Sequence, residues 1–325
     1  MLHVSSTSRM PKKSTNVRSA RALRIARAAL QAAFLVSDDL GAGFAERLFT
    51  TPKRHPRPTR EQAVLATARP FHVEVALRAP RWQGHTARIA AWRWGTGPTA
   101  LLVHGWEGRG SQLGALVEPL VAAGMAVVAF DAPGHGSSPG NRLYLTDLAD
   151  CIADVAAASG PLHAVVAHSF GAAAALLAHA RNGLDASRNV VLAPNVLLED
   201  SVSQFARAIA LDAPDRALFE ASLAEHAGVA AGALTLDHLV GTRDTQLLVV
   251  HDRDDREVSV AQGERLAQRW PGAELVLTEG LGHRRVLRDL GVVARVAQFA
   301  SAGVRPPASD LIREVDRCLA RGDDL

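Results

Sequence analysis

The chain is 325 residues long and 48% hydrophobic, with a formal net charge of +3 and two cysteines. That is enough to bury one large core, with an inserted subdomain at most. It excludes a spanning helix, because no uncharged apolar run reaches about 18 residues, and the wide separation of Cys151 and Cys318 excludes a disulfide framework or a metal-binding cysteine pair.

Charge is unevenly spread. Residues 1–60 hold 12 Lys or Arg against 3 Asp or Glu, while the remainder holds 24 against 30. The basic character therefore belongs to an N-terminal arm, and nucleic acid is not an expected partner. Ser5 to Asn16 is polar and reads as disordered. From Val17 to Val36 the pattern turns helical, with Arg18, Arg21, Arg24 and Arg27 at three-residue spacing and Leu23, Ile25, Ala26, Leu30 and Phe34 supplying apolar faces. The favoured reading is a helix packed on the body through one side, with its arginines solvated. The competing reading is a basic amphipathic segment, residues 17–50, in weak contact with an anionic membrane surface. Arginines occupy the place where the apolar centre of a secretory signal should begin, so the expected location is cytoplasmic or at the membrane periphery. Prolines 52, 56 and 58, with Lys53, Arg54 and Arg57 among them, read as a stiff linker that closes an extension over residues 1–60.

Past the linker the chain alternates. Phe71 to Leu77 and Ala87 to Trp94 read as an antiparallel pair. Nearly pure apolar runs follow at 100–103, 126–130, 164–166, 190–192, 247–250 and 275–277, with helical stretches at 113–123, 145–158, 170–181 and 261–270 between most of them. Apolar strands without polar alternation are buried on both faces, as in a parallel sheet covered by helices on either side. The class is α/β, doubly wound and mostly parallel, with about eight strands. Residues 61–195 and 242–303 make the core, 196–241 an all-helical insertion placed as a cap with substrate beneath it, and 304–325 a helical tail.

The chain is organised around Leu162 to Ala180, LHAVVAHSFGAAAALLAHA. A β-branched run passes through one sharp corner at Ser169 into an alanine-rich helix. A serine at such a corner projects its hydroxyl beyond the sheet edge, and the next amide points at the same space from a helix N-terminus. Here Ala167 stands where that elbow pattern has its first glycine, and the bland alternative is a serine capping an ordinary turn.

In an open parallel sheet, ligands bind beyond the carboxyl ends of the strands. Those ends carry His104-Gly105-Trp106, then Asp131 to Ser138 (DAPGHGSS), then Ser169, then His251 to Val258 (HDRDDREV), then Gly280 to His283 (GLGH). With these motifs in this order the chain resembles an α/β-hydrolase of the esterase, lipase and serine-aminopeptidase-like group, over about residues 98–300. The resemblance implies Ser169 as nucleophile, His283 as base, Asp255 as the carboxylate behind it, and the amides of Trp106 and Phe170 as the oxyanion hole.

Each type has its reason. A serine hydroxyl is a weak nucleophile unless an imidazole takes its proton. A carboxylate fixes the imidazole's tautomer and stabilises its charged form. An oxyanion donor is worth roughly 3 kcal/mol. Asp252 and Asp254 compete with Asp255 as acid or serve as loop caps. His135 competes weakly with His283, His104 reads as a loop tie, and His168 reads as packed beside the nucleophile; with Gly105, these three histidines belong to the loops around the pocket. The position after the sixth strand holds Asn195, which cannot ionise, and this favours Asp255. No cofactor or metal is expected. The expected activity is hydrolysis of an apolar, medium-chain carboxylic ester through an acyl-serine. Thioesterase, amidase or acyltransferase chemistry on the same residues stays open, as does a silent hydrolase-like binding protein.

Overall fold

The structure is a computed structural model that describes residues 14–82, 84–240 and 245–305, with side chains from residue 21 onward. Most of the expected N-terminal disorder, the tail from residue 306 and Cys318 lie outside the described residues.

The strands are β1 (Arg69–Leu77), β2 (His85–Trp94), β3 (Thr99–Val103), β4 (Ala126–Phe130), β5 (Leu162–His168), β6 (Arg188–Leu192), β7 (Gln246–Asp252) and β8 (Glu274–Thr278). The helices are α1 (Ser14–Val36), α2 (Asp38–Thr50), α3 (Thr59–Ala66), α4 (Val117–Ala122), α5 (Leu145–Ser159), α6 (Phe170–Arg181), α7 (Leu198–Ile209), α8 (Ala213–Ala227), α9 (Leu236–Val240), α10 (Val260–Arg269), α11 (Gly282–Arg285) and α12 (Leu290–Ala300).

All eight strands form one sheet, ordered β1-β2-β4-β3-β5-β6-β7-β8. β1 and β2 run antiparallel, as do β2 and β4, and every later pairing is parallel. β3 and β4 are buried along their whole length. Successive side chains feed opposite faces. Leu101, Val103, Val128, Phe130, Val165 and Ala167 join the layer that contains α5 and α6, while Leu102, Val127, Ala129, Ala164 and Val166 join the layer that contains α4 and α12. The apolar runs are thus explained by helices on both sides of a doubly wound sheet.

Contacts group the described residues into two compact units. One combines Met1–Phe49 with Asp200–Leu223, and the other combines Thr50–Glu199 with Ala224–Leu325. Sequence alone divides the chain differently, at residue 60 and at 196–241. In the first unit the Phe49 ring lies 5.0 Å from Phe205 and 5.7 Å from Phe219, Ser222 Oγ donates to Glu46 at 2.6 Å, and Arg27 donates to the carbonyl of Ala208 near the end of α7. A cation on the last carbonyls of a helix is a favourable pairing.

The second unit contains the sheet. It also contains the segment read as a linker, which is bound down rather than spacing anything. Arg54 donates to the carbonyls of His135, Gly136, Ser138 and Gly140, and Arg57 pairs with Asp131, donates to Ser137 Oγ and lies over the Trp92 ring. Both arginines are consumed by the loop after β4.

Candidate active site

The corner between β5 and α6 holds Ser169 at φ 54° and ψ −121°. A non-glycine residue there carries strain on the order of 1–3 kcal/mol, and the turn persists because its neighbours leave no alternative. Ser169 N–H donates to Leu192 O at 3.0 Å, and its own carbonyl accepts from Ala172 and Asn195. A Cβ on Gly171 would lie 2.3 Å from the His104 carbonyl oxygen, so only glycine lets α6 approach the β3 loop this closely. Ala167 is fully buried between Val103 and Val191 of the flanking strands, and its methyl is accommodated in the core. Glu107 and Ala193, at the ends of β3 and β6, also adopt positive φ, so backbone strain collects at the carboxyl edge of the sheet.

Three side chains from three separate strand ends meet at this corner. His283 Nε2 lies 2.9 Å from Ser169 Oγ, and His283 Nδ1 lies 2.7 Å from Asp255 Oδ2. Asp255 has no exposed side-chain surface. Burial alone would raise its carboxyl, but hydrogen bonds from His251, His283 and the Val258 amide outweigh burial and hold it well below the ordinary carboxylate value. The carboxylate therefore stays ionised beside the imidazole.

The rival groups have other partners. Asp252, buried, accepts from Thr278 Oγ1 at 2.7 Å and from the amides of Gly282, Leu281 and Asp254 at 2.8 to 3.0 Å. Asp254 accepts from the Gly280 amide. Together they fasten the 280–283 loop, which delivers His283, to the end of β7. Residue type and spacing alone do not separate this role from that of an acid, since all three aspartates sit in one run of five residues; the resemblance does, by its register. In the sequence His251 marks only the end of a strand; its Nε2 faces Asp255 Oδ2 at 3.3 Å.

His104 bonds the Gly105 carbonyl through Nδ1 and accepts from the Ala132 amide at Nε2, and burial lowers its pKa to about 4. His135 is held in the same way between the Pro133 carbonyl and the Glu107 amide, with its pKa lowered to about 3 by burial and the charge of His104. His168 donates to the His283 carbonyl at 3.0 Å with its ring 4.8 Å from the His283 ring, and burial followed by the charge of His283 lowers it to about 3. All three are neutral ties around the loops. The Trp106 ring packs edge-on against Phe170 at 5.6 Å, which brings the β3 loop against the first turn of α6, where helix amides lack intrahelical acceptors.

A cleft of about 1440 Å³ opens here, with Trp106, His168, Ser169, Val258, His283 and Leu287 among its walls. Farther along, its wall includes a buried ion pair that sequence reading missed: Arg109 bonds Glu61 through Nε and Nη2, and Ser111 Oγ donates to the same carboxylate. No group of three or more His, Cys, Asp or Glu is placed to hold a metal among the described residues.

The family model described as serine aminopeptidase, S33, matches residues 96–225. A monoacylglycerol lipase of Mycolicibacterium smegmatis is 28% identical over 207 residues, covering 52% of this chain and 74% of the lipase. Many solved structures share the fold. An esterase from Pyrococcus furiosus has a TM-score of 0.55 at 18% identity, over 77% of this chain and 96% of its own. A membrane phospholipase A, described as a bacterial virulence factor, has a TM-score of 0.54 at 22% identity, over 76% and 89%. The chain has the α/β-hydrolase fold and is similar to ester-cleaving hydrolases.

Proposed function

We propose that Ser169, His283 and Asp255 are the nucleophile, the general base and its carboxylate in a carboxylesterase that works through an acyl-serine. The observation that carries this reading is the unbroken line from Ser169 Oγ to His283 to Asp255, at 2.9 and 2.7 Å. Ser169 Oγ attacks the ester carbonyl as His283 Nε2 takes its proton. The carbonyl oxygen gains the negative charge between the amides of Trp106 and Phe170. Collapse of that intermediate expels the alcohol, which receives the proton from His283, and leaves the acyl group on Ser169. Water then attacks by the same route, losing its proton to His283 and freeing the acid. Asp255, already ionised, stabilises the imidazolium in both halves.

The substrate in this reading is an ester with an apolar, medium-chain acyl group, lying against Trp106, Val258 and Leu287. A p-nitrophenyl ester series from acetate to palmitate tests it, with Ser169→Ala in parallel. Turnover should peak at a medium chain length and fall by about three orders of magnitude or more in the variant. Equal turnover by the two proteins would remove Ser169 from the chemistry, and a peak at acetate would remove the acyl assignment.

A further inference from the structure

The first unit presents a face that neither the fold nor the chemistry uses. On one side of α1, Leu30 is buried, Phe34 is half-buried, and Arg27 is engaged with the Ala208 carbonyl. With 3.6 residues per turn, Arg21, Arg24, Ile25, Ala28, Ala32 and Leu35 share the opposite side, and all are exposed. Ile25 is 61% exposed, Leu35 90% and Val36 75%, and Leu40 at the start of α2 is 51% exposed. Single exposed apolar residues are ordinary, but a contiguous set along one helix face is not.

The chain up to Val36 carries charge of one sign. From Met1 to Val36 the sequence holds seven Lys or Arg (residues 9, 12, 13, 18, 21, 24 and 27) and no Asp or Glu. The next carboxylates along the chain are Asp38 and Asp39, exposed in the first turn of α2, where the helix N-terminus favours negative charge. A second copy of this chain would bring the same cations against themselves in a two-fold contact, whereas an anionic lipid surface complements them.

We propose that this face of α1 docks the protein on an anionic lipid bilayer. Ile25, Leu35, Val36 and Leu40 enter the boundary between headgroups and acyl chains. Arg21 and Arg24 lay their stems along the same boundary and carry their guanidinium groups to the lipid phosphates, which their planar forks match. The inference is independent of the roles assigned to Ser169, His283 and Asp255.

The test is co-sedimentation of the full chain with vesicles of phosphatidylcholine alone or mixed with phosphatidylglycerol, at about 0.1 M and about 1 M salt, where screening lengths are about 10 and about 3 Å. The protein should partition to the anionic vesicles and be released by salt. Arg21→Gln with Arg24→Gln should weaken partition by about 25-fold, roughly fivefold for each charge near the surface. Ile25→Ser with Leu35→Ser and Val36→Ser should abolish it in both salts, while hydrolysis of a short soluble ester and the circular dichroism spectrum stay as in the natural sequence. Absent partition, equal partition to both lipids, or variants that sediment like the natural sequence would overturn the proposal. So would self-association by sedimentation velocity that the triple serine variant removes without any lipid binding, since the face would then be a contact between copies.

Discussion

Lowering the pH from about 6.5 to about 4.5 should remove about 4 kcal/mol of stability, and opposing buried groups decide the figure. Burial lowers His104 to about 4 and His135 and His168 to about 3. In the unfolded chain each titrates near 6.5. As pH falls below that value the unfolded state takes up protons that the native state refuses, so stability drops by about 1.4 kcal/mol per pH unit for each histidine. Asp147 works the other way. Burial raises its carboxyl to about 7, against the donors Tyr144 N–H and Trp82 Nε1. The unfolded carboxyl ionises near 3.9, so across this window acid relieves a cost borne by the native state. Three protons against one leave a net two, about 3 kcal/mol per pH unit at the steepest, and less near 6.5 where the unfolded histidines are only partly charged. Asp252 and Asp255, held below the ordinary carboxylate value, contribute stability above about 3.9 that is lost only at lower pH, outside the window. Urea unfolding followed by tryptophan fluorescence at half-unit pH steps gives the slope directly. His135→Gln should halve it and Asp147→Asn should steepen it by half. Stability that is flat or rises toward pH 4.5, or a His135→Gln slope equal to that of the natural sequence, would refute the reasoning.

The aspartates after β7 should separate by readout. Asp252→Asn leaves amides of the 280–283 loop facing a group that is no longer charged and is half donor, costing about 3 kcal/mol. Its KM for a soluble ester should hold while kcat falls about tenfold or more as His283 loses its position. Asp255→Asn should instead cut kcat by about four orders of magnitude, as loss of the tautomer-setting carboxylate does in such triads; a kcat within tenfold of the natural enzyme would return the role to a neighbour. Gly171→Ala drives a methyl to 2.3 Å from the His104 carbonyl, and thermal unfolding should show about 1–3 kcal/mol of overpacking cost together with lost esterase activity.

Strand positions, the parallel sheet and the residues gathered at its carboxyl edge were legible because each depends on local pattern. A run such as Ala126 to Phe130 is apolar at every position only if both faces are covered, and a serine between Ala167 and Gly171 has few conformations open to it. What escaped depends on partners far away in sequence. Nothing in Arg54 or Arg57 says that their guanidinium groups will meet carbonyls and a carboxylate some 80 residues later. The pattern of α1 shows apolar and basic sides, but the helices that α1 and α2 join are set by Arg27 meeting the Ala208 carbonyl and by Phe49 meeting Phe205 and Phe219. Asp252, Asp254 and Asp255 are the same residue type within four positions, and only the direction of each side chain tells clamp from candidate acid.

The two-piece make-up of the first unit has a consequence for biosynthesis. Its halves, residues 1–49 and 200–223, are about 150 residues apart. At roughly 5–20 residues per second, α1 and α2 leave the ribosome about 10 to 35 s before their partner helices exist. During that interval Leu30 and Phe49 are as bare as Ile25 and Leu35, and the nascent chain offers an arginine-rich apolar helix with nothing of its own to close on. Removing residues 1–49 would not trim a tail. It would leave Phe205 and Phe219 permanently in the condition that the intact chain passes through only while it is being made.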